Sequence, residues 1–217
     1  MLKGVIFDLD GVLVDSHPVH MRAWRRCLSS IGNTVSEQDM AFVQEGGKRE
    51  DILRHFLGEL SDDQMQIYGQ QKETFFREES KIIGTIPGVR EFLDELANAF
   101  IPMAVASCGG SGRVHYLLDR LELRKYFRVV VTGDEVAEGK PAPIIFRKAA
   151  AGLNILGKDL LVVEDSISGV KAAKAAGMKC LGIALPPRAQ ALFDAGVDFV
   201  LPDFLQTSVS EIGRLIP

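Results

Sequence analysis

The chain opens with an apolar run that ends in two aspartates, Val5-Ile6-Phe7-Asp8-Leu9-Asp10-Gly11. A run of this kind reads as a strand buried on both faces, the habit of strands in a parallel sheet. In an open α/β sheet the carboxyl ends of such strands face a ligand crevice. Two carboxylates two residues apart are costly there unless a cation neutralises them. Mg²⁺, a hard ion that prefers oxygen ligands, meets that need. Taken alone, the segment also reads as a solvated Asp-Gly turn.

Three later segments bear on that choice. Met103-Ala104-Val105-Ala106 is a second short apolar run, followed by Ser107, Cys108, Gly109 and Gly110. Gly139-Lys140-Pro141-Ala142-Pro143 sets one lysine in a loop stiffened by proline. Leu160-Leu161-Val162-Val163 is a third buried-type strand and ends in Glu164-Asp165-Ser166. A carboxylate, a hydroxyl, a lysine and an acidic pair thus lie at or near strand ends, which converge on one crevice in an open sheet.

Between the first strand and the rest the texture is helical. Val19, Ala23, Trp24, Cys27, Leu28 and Ile31 recur at helical spacing, and Ile52, Leu53, Phe56 and Leu57 make a further stripe. No convincing strand is expected between about residues 14 and 83. Gly84-Thr85-Ile86-Pro87-Gly88 reads as a return linker, after which helix and strand patterns alternate. That alternation predicts a doubly wound parallel sheet with right-handed crossovers. The expected division is a core of residues 1–14 and 85–217 with a helical insertion over 15–84.

Composition excludes several classes. The formal net charge of -4 gives no global basic field for nucleic acid or an anionic membrane. No apolar run approaches the roughly 18 residues of a membrane span, and no signal peptide is visible ahead of the first strand, so a cytoplasmic protein is expected. The three cysteines, Cys27, Cys108 and Cys180, form no Cys-x-x-Cys pair, and an odd number argues against a disulfide framework.

The four segments resemble the four motifs of the haloacid dehalogenase superfamily of phosphotransferases, over nearly the whole chain. Asp8-Leu9-Asp10-Gly11-Val12-Leu13 with Asp15-Ser16, Gly139-Lys140-Pro141-Ala142-Pro143, and Val163-Glu164-Asp165-Ser166 with Gly169 are similar to the subgroup holding β-phosphoglucomutase and the small sugar-phosphate phosphatases. The resemblance implies a Rossmann-like core with a helical cap domain. It also implies Mg²⁺-dependent hydrolysis of a small phosphorylated metabolite, foremost a sugar phosphate, through an aspartyl-phosphate. Asp8 is then the nucleophile. Asp10 binds metal through its main-chain carbonyl, and its side chain serves as acid and base. Asp165 completes the acidic cage, and Glu164 either ligates the metal or orients Lys140. Ser107, with the N–H groups of Cys108 and Gly109, forms an anion-binding nest, and Lys140 supplies a fixed charge to the phosphate. His20, Trp24, Arg49 and Lys72 resemble cap positions that contact the sugar or a second phosphate. Core packing remains open for His20 and Trp24, as does a solvated charge run for the Gly46–Asp51 segment.

Two departures from the mutase pattern stand out. Glu45 occupies the place of a lysine, and Gly109-Gly110-Ser111 that of a Ser-Lys-Asn cluster, both contacts to the non-transferring phosphate. The expectation is therefore a monomeric phosphatase. A β-phosphoglucomutase-like isomerase is the alternative, and a non-enzymatic phosphometabolite sensor is disfavoured because a sensor needs no such pair as Asp8 and Asp10.

Overall fold

The computed structural model describes residues 2–45 and 48–215. Six parallel strands form one sheet: β1 (Gly4–Phe7), β2 (Met103–Ser107), β3 (Phe127–Thr132), β4 (Leu160–Glu164), β5 (Lys179–Ile183) and β6 (Phe199–Leu201). Their spatial order is β3-β2-β1-β4-β5-β6, so the chain leaves β1 and later returns on its other side. The crevice of such a sheet lies where that order reverses, at the carboxyl end of β1.

Every residue of β1, β2 and β4 is buried, as the apolar runs predict. Their side chains alternate between two cores. Val5, Phe7, Leu161 and Val163 face one layer, with Phe92 and Leu96 of α4 (Val89–Asn98), Leu117 of α5 (Ser111–Arg120) and Ile212 of the last helix. Ile6, Leu160 and Val162 face the other, against Phe146 of α6 (Ile144–Leu153) and Ala172 of α7 (Ile167–Ala175). Each large apolar side chain buried this way stabilises the fold by about 1.5–3 kcal/mol relative to its exposed state.

The segment after β1 is helical, as expected: α1 (His17–Ser30), α2 (Arg49–Leu57) and α3 (Asp62–Glu79). Ser61 and Gln64 close a capping box at the start of α3, satisfying two otherwise orphaned N–H groups. Trp24, Leu28, Met40, Ile52 and Leu53 form a small core of their own, whereas Val19, Ala23 and Phe76 reach into the main one. The two connections run side by side. Val14 and Thr85 form an antiparallel bridge, and Asp15 N–H donates to Gly84 O at 3.0 Å.

The chain beyond Ala184, which the sequence patterns left unread, adds α8 (Pro186–Asp194), the three-residue β6 and α9 (Val209–Leu215). Among the described residues no helix is long and apolar enough to cross a membrane.

Candidate active site

Asp8 is the first residue past β1, and its N–H donates to Val163 O of β4 at 2.9 Å. The chain then turns sharply, so that Asp10 N–H donates to Asp8 Oδ2 at 2.8 Å. Gly11 completes the turn at a φ of 75°, and any Cβ there would strike the Asp165 carboxylate and the His17 ring. Glycine thus lets the acidic end of β4 close on the acidic end of β1.

Lys140 reaches both. Its Nζ lies 2.5 Å from Asp8 Oδ1, donates to Ala106 O at 3.3 Å and pairs with Glu164 Oε1. The other Glu164 oxygen accepts from Asp165 N–H, Ser166 N–H and Ser166 Oγ, each at 2.9 Å. Both oxygens of Glu164 are therefore engaged in holding Lys140 and the start of α7. Burial alone would strip the Lys140 proton, but Asp8 and Glu164 hold its pKa well above the usual lysine value. Burial pushes Asp8 the other way, and Glu164, Asp10 and Asp165 add to it against Lys140, taking its pKa up to about 8.

Asp10 has separate partners. Arg113 Nη1 lies 2.8 Å from both carboxylate oxygens, Ser16 Oγ donates at 2.7 Å, and His20 Nε2 lies at 3.2 Å. Burial would raise the Asp10 pKa, yet Arg113, His20 and Ser16 hold it well below the usual carboxylate range. Burial, then the adjacent Lys72 ammonium, drives His20 down to about 3. The neutral ring accepts at Nδ1 from Lys72 Nζ at 3.2 Å, which leaves Nε2–H to donate to Asp10. Lys72 is itself pushed down to about 8 by burial, partly offset by Glu73, with its ammonium 5.4 Å from the Trp24 ring centroid.

The donor set suits a hard cation. Asp8 and Asp165 are buried carboxylates, 7% and 5% exposed, and burial raises the pKa of each. Such a deficit of positive charge is what a divalent ion relieves. Among the described residues no three His, Cys, Asp or Glu side chains cluster closely enough to hold an ion by themselves. The two carboxylates are oxygen donors, the kind a hard cation prefers.

The sequence-predicted residues converge. Asp8, Asp10, His20, Trp24, Arg49, Lys72, Ser107, Cys108, Gly109, Glu164 and Asp165 all line one pocket of about 80 Å³, and Lys140 stands behind its wall on Asp8. One detail differs from expectation: Gly109 N–H donates to Ser107 Oγ at 3.1 Å, so half of the expected nest is closed on its own hydroxyl. Burial pushes the Cys108 thiol up, away from the reactive thiolate. Arg49 pairs with Glu50 at 2.8 Å. The Glu45 side chain and Gly46 and Gly47 lie outside the described residues.

Of the pocket's polar side chains, sequence reasoning gave no role to His17, Glu73, Arg113 or Ser166, the last quoted only as part of the β4 motif. His17 Nε2 lies 2.6 Å from Asp165 Oδ2, and its spacing of three from His20 on α1 was a usable signal. Arg113 sits in the first turn of α5, where a cation is unfavourable unless an anion holds it. Asp10 is that anion.

A family model described as haloacid dehalogenase-like hydrolase matches residues 5–183. The chain belongs to the haloacid dehalogenase-like hydrolases. A phosphorylated carbohydrates phosphatase of Thermotoga maritima is 36% identical over 183 residues, covering 82% of this chain and 83% of that protein. The β-phosphoglucomutase of Bacillus subtilis is 31% identical over 191 residues, covering 84% and 83%. A crystal structure of β-phosphoglucomutase from Clostridium difficile superposes with a TM-score of 0.89 at 22% identity, covering 100% of this chain and 97% of that one, and shows a shared fold. Within the haloacid dehalogenase-like hydrolases, then, the chain has similar relatives named for hydrolysis and for isomerisation, and the site residues must separate them.

Proposed function

We propose that this protein is a phosphomonoester hydrolase acting on phosphorylated carbohydrates, with Asp8 as nucleophile and Mg²⁺ as cofactor. The observation that carries the reading is the division of labour between two adjacent carboxylates. Asp8 sits on a fixed ammonium through one oxygen and accepts the Asp10 N–H through the other. Asp10 is held two residues on by an independent set of partners. Carboxylates in such different surroundings suit different roles in one reaction.

Asp8 attacks phosphorus, its bond to the leaving oxygen breaks, and an aspartyl-phosphate forms; water then attacks phosphorus and regenerates the carboxylate. Lys140 stays protonated throughout, neutralising the phosphoryl oxygens and keeping Asp8 in line, while Glu164 holds Lys140 in place rather than ligating. Mg²⁺, held by Asp8, Asp165 and the Asp10 carbonyl, would supply further neutralisation of the transferring group. Asp10 donates a proton to the departing oxygen and later removes one from water. It must first take up that proton, so substrate entry has to loosen the grip of Arg113. Ser107, freed from Gly109, turns its hydroxyl to the phosphate. His20, Trp24, Lys72 and Arg49, from the helical segment 15–84, cover the pocket as a cap and contact the leaving group.

The sugar class is supported by the Thermotoga maritima relative, whose name states phosphorylated carbohydrates. The test is phosphate release from a panel of sugar phosphates, each with Mg²⁺ and with EDTA. Release that needs metal supports the reading; no release from any ester sinks it.

A further inference from the structure

A second cavity opens directly off the catalytic pocket. It lies between α3 and the first turns of α5, has a volume of about 490 Å³, and shares Arg49, Glu73, Gly110 and Arg113 with the pocket. The pocket itself offers about 80 Å³. A water-sized group takes roughly 10–15 Å³, so the pocket seats a phosphoryl group and little more. A leaving group whose nearest atoms touch His20, Trp24 and Lys72 therefore has to extend out of the pocket for the rest of its length. Cavities that bind small molecules run to roughly 300–1,000 Å³, and the adjoining space falls within that range. On the same measure it holds some thirty water-sized groups, more than one hexose ring fills and enough for two.

The lining narrows the chemistry. Arg49, Arg77, Lys81 and Arg113 share the lining with Glu73, Glu78 and Asp134, and Arg49 is already paired with Glu50. A second phosphate would meet those three carboxylates as well as the cations. The Tyr116 ring carries the Arg77 guanidinium 4.9 Å from its centroid, so that face is already covered against a stacking nucleobase. Hydroxyl groups both donate and accept, and so match a wall of mixed donors and acceptors. One donor makes no hydrogen bond: Arg113 Nε is buried, its nearest carboxylate oxygen, Glu73 Oε2, is 3.8 Å away, and Arg113 lines both spaces.

We propose that this cavity receives the distal part of the leaving group, and that the substrate is the phosphate monoester of a disaccharide-sized polyol. The inference rests on the phosphomonoesterase reading above and specifies its substrate class. Arg113 marks the junction, its Nη1 on Asp10 and its Nε offered to a leaving-group hydroxyl.

The experiment compares phosphate release from trehalose 6-phosphate and glucose 6-phosphate with Mg²⁺ present. The expected kcat/KM is about tenfold or more higher for the disaccharide ester. Gly112 lines the cavity, and a Cβ added there meets nothing within 4 Å, so Gly112→Phe is chosen to fill the cavity from α5 and Thr74→Trp to fill it from α3. Each substitution should lower the disaccharide-to-monosaccharide ratio by about tenfold. Equal kcat/KM for the two esters, or a ratio unmoved in both variants, overturns the assignment and leaves the phosphatase reading standing. If neither ester releases phosphate, the sugar-phosphate panel decides the phosphatase reading and calorimetry on the Asp8→Asn protein decides the cavity. Trehalose 6-phosphate binding about tenfold tighter than glucose 6-phosphate supports the inference, and equal binding overturns it.

Discussion

Lys140 Nζ stands 2.5 Å from Asp8 Oδ1, across 132 positions of sequence, and spans the gap between the ends of β1 and β4 by pairing with Glu164 as well. One ammonium thus serves two buried carboxylates. Removing it strands both, and a buried pair broken from one side costs about 3–5 kcal/mol. Lys140→Met should therefore lower stability by that order in urea unfolding and reduce phosphate release by about a hundredfold or more. A variant that retained both stability and turnover would contradict the role given to this residue. Arginine should not substitute, since its planar fork does not fit a site built around a point charge.

Asp8→Asn removes both the proposed nucleophile and one charge of the acidic cluster. Turnover should vanish while the fold persists. Metal binding gives a second readout. Mg²⁺ at about a hundred times its Kd should stabilise the wild-type protein by about 2.7 kcal/mol, seen as a rise in Tm that EDTA reverses. The rise should be much smaller in Asp8→Asn. A thermal shift of equal size in both proteins would place the ion away from Asp8.

Lys72 is an ammonium that burial, against the pull of Glu73, pushes down to about 8. A folded-state pKa below the ordinary lysine value means that the charged form is the costly one in the fold. The cost is present in full below pH 8, and it disappears as pH rises from about 8 through the unfolded value near 10.5. Lys72→Met should therefore stabilise the protein at pH 7 by about 1–3 kcal/mol, with the advantage shrinking to nothing in alkali. Catalytic efficiency should fall at the same time, because the cap loses its buried cation. Unfolding curves at pH 7 and pH 10.5 check the sign; a gain that grew with pH would refute it.

Hydrolysis and isomerisation are separated by a coupled assay for glucose 6-phosphate from β-glucose 1-phosphate, primed with the 1,6-bisphosphate. A mutase holds the bisphosphate by its second phosphate while the sugar reorients. In this chain the single described cation of the α2 start that lines the pocket, Arg49, is paired with Glu50 at 2.8 Å. Phosphate release should exceed isomerisation. Isomerisation faster by about a hundredfold, roughly 2.7 kcal/mol in barrier, would establish the mutase instead.

The residues legible in the sequence are those at strand ends. Asp8, Ser107, Glu164 and Asp165 each follow an unbroken apolar run, and in a parallel sheet every such run ends on the same side. Lys140 was legible through the prolines around it. Arg113 and Glu73 were not, because each sits on a helix, and only the three-dimensional meeting of Arg113 with Asp10 and Glu73 ties those positions to the pocket. β6 escaped notice for another reason: three residues are too few to show a period. Glu164 illustrates a further limit. Its position was readable, but its choice between metal and Lys140 depends on where two oxygens point, which the Gly169 position permits by leaving room beside the carboxylate.

The hydrogen bond between Asp15 and Gly84 has a consequence for how such proteins diversify. Because the chain enters and leaves the helical segment at one place, the intervening 68 or so residues behave like a cassette spliced into a closed circuit. The register of β1 against β2 and β4 lies outside that cassette, whose Val19, Ala23 and Phe76 still have to fit the main core. Selection can then rewrite what is accepted at the pocket mouth while the chemistry at the sheet edge is inherited unchanged, and a chimaera carrying a relative's cassette should fold with its own core and take the relative's choice of substrate.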